Sequence, residues 1–244
     1  MNVLQITKIR PLSLKVGFPF LDRGWRNSMR IQAMQESNQS GRSMIEMLGV
    51  LAIIGALSIG GIAGYSKAMY KHKLNKQAEQ LNYIFAGILE NQDKLKNYTG
   101  ETYSVITTFK ALDIIPSDMK IVNNRYSRDS LNNAWSWQYF NSGGSSYFYV
   151  MINNIRDKAF DQCKNFFDIA KAYSSIMWHV QIGRLGTHIT GQMFSVYGDN
   201  NCRSSLDCLS NISVARIAEI CKVCDNIANE NSCGFRFLFG GNHW

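Results

Sequence analysis

The chain has 244 residues, 45% of them hydrophobic and 18% charged. That length suits one sizeable domain plus an anchor, and that apolar content excludes a disordered chain. A formal net charge of +8 invites a nucleic-acid reading, but residues 1–41 carry +4, residues 42–97 carry +3 and residues 98–244 only +1.

Charge gathered around one apolar segment is a membrane-topology signal, and the nearly balanced remainder offers no broad phosphate-binding face. Residues 1–41 contain Pro11 and Pro19 and show no periodic pattern, so they are expected to form a leader outside the fold. Met34 offers a second start, which would shorten that leader to the eight residues MQESNQSG. From Met47 to Gly64 the chain runs 18 residues without a charge, about 27 Å as a helix and close to a bilayer core. A buried core helix would seldom hold five glycines with so little polar relief, so residues 44–65 are expected to span a membrane. Glu46 stands at the threshold of this run. An ionised carboxylate there is costly in hydrocarbon unless a cation meets it, which marks it as functional. The bland alternative is an interfacial glutamate that stays in headgroup water.

The segment SGRSMIEMLGVLAIIGALSIGGIAGYSKAM resembles the class III signal of type IV prepilins and pseudopilins. In that family a peptidase cuts after a glycine, and a glutamate lies fifth in the mature chain. Gly41 matches the cleavage glycine, Arg42 becomes the first mature residue, and Glu46 falls fifth. The family usually has Phe or Met where this chain has Arg42, the position whose new amino group the family methylates. The 41-residue leader is long and similar to those of the type IVb branch. The resemblance implies a structural subunit, not an enzyme: a homo-oligomeric helical filament with related minor pilins, made by a prepilin peptidase and an inner-membrane assembly platform. It also implies a single-pass precursor with a periplasmic head, later part of an extracellular pilus or a periplasmic pseudopilus. A pseudopilin of a type II secretion-like system shares every one of these features. A different class of alternative is a bitopic membrane protein with a disulfide, redox or zinc-binding periplasmic head.

Helical spacing continues beyond the apolar run through Tyr70, Leu74, Ala78, Leu81, Phe85, Ile88 and Leu89. No proline interrupts residues 43–97, and NYTG at 97–100 is the expected stop. Residues 98–244 are expected to form the exported head. Runs at 134–140, 145–152, 191–197 and 234–239 are aromatic, β-branched and flanked by turn residues, as strands are, and 176–182 could be another. SGGSS at 142–146 reads as a hairpin turn, and 157–173 and about 213–228 carry helical spacing. The expected class is α+β, a long helix on a small antiparallel sheet. The pilin resemblance adds an α-β roll with a Cys-rich C-terminal region.

All six cysteines, Cys163, Cys202, Cys208, Cys221, Cys224 and Cys233, lie beyond the anchor. An even count on an exported head reads as disulfides. The expected pairs are Cys202 with Cys208, Cys163 with Cys221 or Cys224, and the remaining member of that pair with Cys233. Cys221-x2-Cys224 is half of a zinc spacing, but no second half completes it. The histidines, His72, His179, His188 and His243, have neither ligand spacing nor a neighbouring nucleophile. No catalytic residue, metal ligand or cofactor is expected, and no nucleic-acid partner. Trp135, Trp137, Tyr147, Phe148 and Tyr149 are read as sheet residues rather than base-stacking ones.

Overall fold

A computed structural model describes residues 40–100, 104–155, 158–185, 193–224 and 232–241, without the side chains of 40–43, 154, 184, 185 and 232. The expected leader therefore lies outside the described residues, apart from Ser40 and Gly41 at the start of the first helix. The chain divides between Ile59 and Gly60 into two compact units.

Helix α1 runs Ser40–Glu90. In the first unit its large apolar side chains face outward, with Ile45 74%, Leu51 60% and Ile53 62% exposed. A Cβ added to Gly49, Gly55, Gly60, Gly61 or Gly64 would meet nothing within 4 Å.

In the second unit α1 behaves differently: Leu81, Ile84, Phe85 and Ile88 are completely buried. Leu89, expected on the same stripe, is 44% exposed, because the stripe passes through Ile84 and Ile88 instead. The helix stops at Glu90, before the expected NYTG. Asn91 turns the chain, with its backbone N–H and its Nδ2 both donating to the Gly87 carbonyl, at 3.1 and 2.9 Å. A short helix α2 (Gln92–Lys96) then buries Leu95, and α3 (Ile106–Ala111) buries Ile106 and Phe109.

Seven antiparallel strands follow, a larger sheet than expected: β1 (Lys120–Val122), β2 (Tyr126–Arg128), β3 (Ala134–Ser142), β4 (Ser145–Ile155), β5 (Met177–Leu185), β6 (Met193–Tyr197) and β7 (Ser232–Gly240). Their order is β1-β2-β3-β4-β7-β5-β6, so β7 is inserted between β4 and β5. Ser142 pairs with Ser145 across a two-residue turn, and Gly143 and Gly144 have φ of 60° and 81°. That turn type needs two left-handed residues, which glycine adopts without steric cost.

Strand alternation sends one face inward. In register across the sheet, Trp137 faces Val150, Val150 faces Phe237, Phe237 faces Val180, and Val180 faces Val196, all buried. Phe85 of α1 lies on this face, 5.1 Å from both Phe237 and Phe239 between ring centroids. Helix α4 (Ala159–Ala172) covers the same face, with Phe166 edge-on to Phe235 at 4.9 Å. Helix α5 (Val214–Cys221) is capped by Ser213, whose Oγ accepts from the Arg216 N–H at 3.1 Å. A single 3-10 turn, Lys222–Cys224, continues it, and residues 225–228 of the expected helix lie outside the described residues.

Candidate functional site

Three groups of residues carry chemical interest: the N-terminal part of α1, the disulfides, and the polar clusters around the second part of α1.

Gly41 and Arg42 lie in the first turn of α1, and the Arg42 side chain falls outside the described residues. Glu46 is exposed, as are all residues from Met44 to Gly64. The span Met44–Glu90 includes a stretch of mean hydropathy 2.1 that is 0% buried, so the described residues include one helix apolar and long enough to cross a membrane. Exposing so many large apolar side chains to water is unfavourable, at roughly 1.5–3 kcal/mol for each Leu or Ile left unburied. Such a surface calls for lipid or for other helices.

All six cysteines are paired. Cys163 of α4 joins Cys221 of α5, Cys202 joins Cys208, and Cys224 joins Cys233 at the start of β7, with Cα–Cα distances of 5.7, 5.4 and 5.3 Å. Cys221 and Cys224 go to different partners, so they form neither a redox pair with each other nor half of a metal site. Among the described residues no group of three His, Cys, Asp or Glu could hold a metal ion. The Cys202–Cys208 loop is laced to β6, where the Tyr197 N–H donates to Asp207 and its carbonyl accepts from the Leu209 N–H, both at 2.8 Å. Beside this loop, Gly198 lies close against the start of β5, where a Cβ would stand 1.8 Å from the Met177 carbonyl oxygen. On α5, Arg216 donates to Asp207 and Glu219, and these bonds push its guanidinium further above its ordinary pKa.

A polar cluster that sequence reasoning missed anchors α1 to the sheet. Asp129, 7% exposed, follows β2 and accepts from the N–H groups of Leu131 and Asn133 at 2.9 and 2.8 Å. It also accepts from Asn133 Nδ2 at 2.9 Å, from Trp135 Nε1 at 3.0 Å, and from Gln77 Nε2 of α1. Gln77 donates in turn to Gln162 of α4 at 3.0 Å. A buried carboxylate needs such a set of donors, because each unmet lone pair is costly away from water. The available signal was two glutamines, Gln77 and Gln80, on the apolar side of α1. Nearby, Lys76 is bound to Asp118 at 3.0 Å and Glu79 at 3.3 Å, which raises its pKa, and the Tyr83 hydroxyl donates to Asp113 at 2.9 Å, which raises the tyrosine's.

His179 of β5 is the one described histidine with a large shift. Burial lowers its pKa to about 4, against a smaller opposing pull from the Gln181 side chain. His72 is exposed on α1, while His188 and His243 lie outside the described residues. Trp135, Trp137 and Phe148 are core residues. Tyr147 and Tyr149 stand on the opposite sheet face, where both stack on Phe140 at 4.8 and 5.1 Å.

No protein-family model, curated protein or solved structure matches the chain.

Proposed function

We propose that this chain is a structural subunit of a type IV pilus-like filament, clipped after Gly41 and polymerised through the N-terminal part of α1. The observation that carries this reading is the contrast within α1. Residues 44–64 are apolar, glycine-rich and exposed, with a single carboxylate, Glu46, near their start. Five glycines in a helix cost about 1 kcal/mol each relative to alanine, and no contact among the described residues needs their small size. Close approach by helices of other subunits would use it.

In the assembly step, Glu46 of one subunit is met by the new α-amino group of Arg42 on a neighbour. A lone buried carboxylate costs several kcal/mol, whereas a paired one is tolerated, so pairing selects one axial register. Disulfides accord with a head that works in an oxidising space. The finer likeness to an α-β roll is supported by the packing of the second part of α1 on an antiparallel sheet.

The test is Glu46→Gln in a host with the assembly machinery. Insertion and head folding are expected to be unchanged, because a neutral side chain is easier to place near lipid. Filaments should be lost, with subunits accumulating in the inner membrane, while Arg42→Phe should be tolerated. Filaments of normal number and length from Glu46→Gln would refute the pairing.

A further inference from the structure

Where α1 leaves its apolar run, it forms one wall of a basic cleft. Lys67, Tyr70, Lys71 and Leu74 face Lys158, just before α4, and Asp161, Lys164, Asn165 and Asp168 along that helix, around a volume of about 330 Å³. The residues from α1 follow three- and four-residue spacing and so share one side of that helix. Four lysines against two aspartates leave this lining at +2. Among the described residues, no ion pair joins any of the four lysines to either aspartate. Lys158 adopts a left-handed backbone, with φ of 48°, and its Nζ rests 3.7 Å from the centre of the Tyr70 ring. A left-handed lysine is uncommon, and the cation–π contact holds its charge at the mouth of the cleft.

We infer that this cleft binds the phosphodiester headgroup of an anionic phospholipid in the leaflet next to the head, before the subunit enters a filament. The inference rests on the membrane reading of the apolar run. Depth favours a lipid over other anions. Lys67 and Lys71 lie about 4.5 and 10 Å along α1 beyond Gly64, and the headgroup layer is roughly 5–8 Å thick. Helical side chains lean toward the helix N-terminus, which here is the apolar side, and lysine stems extend further in that direction. The two ammonium groups from α1 therefore reach headgroup phosphates, with those of Lys158 and Lys164 closing on them from α4. Tyr70 and Leu74 give the glycerol carbons an apolar floor.

Full-length protein in detergent is titrated with phosphatidylglycerol, phosphatidylcholine and inorganic phosphate, and bound species are counted by native mass spectrometry. Phosphatidylglycerol should bind in preference to both others. Lys71→Gln and Lys158→Gln should each weaken it about fivefold, and Lys110→Gln on α3 should leave it unchanged. Equal binding of the two lipids, equal occupancy by free phosphate, or lysine variants that bind like wild type would each overturn the inference. Flotation with phosphatidylcholine vesicles separates it from its premise. A chain that floats but shows no anionic preference overturns the inference alone, and a chain that fails to float overturns the anchor reading with it.

Discussion

The two parts of α1 meet opposite demands with the same backbone. From Met44 to Gly64 the helix presents leucine, isoleucine and glycine outward on every side, and nothing among the described residues covers them. From Leu81 to Ile88 an apolar stripe is buried in the head, and Gln77, one turn before it, is held by a carboxylate 52 residues away. Apolar content alone therefore does not say what a helix is for; the distribution around its circumference does. An all-round apolar surface needs other molecules, whereas a one-sided stripe is satisfied by its own fold.

Substitutions can break that contrast. Phe85→Ala should destabilise the head by about 4 kcal/mol, since it empties a site ringed by Tyr173, Phe237 and Phe239. Ile54→Ala, of similar chemistry in the exposed stretch, should leave the head's urea unfolding within about 0.5 kcal/mol of wild type. Equal losses from both would show that the exposed stretch is packed into the fold.

Next in size is the bridge between α4 and α5. Replacing Cys163 and Cys221 together by alanine should cost about 3 kcal/mol by the same assay and leave membrane insertion intact. Free-thiol counting on the unreduced wild type should find none, and six reactive thiols would contradict the pairing. The smallest effect belongs to His179. Its folded pKa of about 4 lies below the ordinary 6.5, so between those pH values the unfolded chain holds more protons. Its contribution is full above pH 6.5, is lost as pH falls through that window, and levels off below about 4, for a total on the order of 2 kcal/mol. Carboxylates titrate in part of this range, so the informative quantity is the difference from His179→Phe. That variant should lose less stability than wild type between pH 7 and 4.5, and parallel curves would remove His179 from the account.

Much of this contrast was legible in the chain itself. The uncharged run after Glu46, the SGGSS turn and the even cysteine count are local signals, and each needs only neighbouring residues to be read. What escaped depends on distant partners. The burial of Gln77 depends on Asp129, 52 positions away, and nothing in the neighbourhood of either residue announces the other. Leu89 was expected on the buried stripe, yet that stripe runs through Ile84 and Ile88 and leaves Leu89 half-open. Strands β1 and β2 hold three residues each, too few for alternation to show. The lysine cleft joins residues some 90 positions apart, so charge counting placed Lys67 and Lys71 beside the membrane without giving them a common site with Lys158.

The central claim, that the exposed stretch of α1 is an assembly device released by cleavage, is tested most directly at the new N-terminus. The protein is expressed with and without a prepilin peptidase, and the intact mass and N-terminal peptide are measured. With the peptidase, the mature chain should begin at Arg42, and Gly41→Val should remain uncut. A wild-type chain that keeps its leader in the presence of an active peptidase, beginning at Met1 or Met34, would contradict the account.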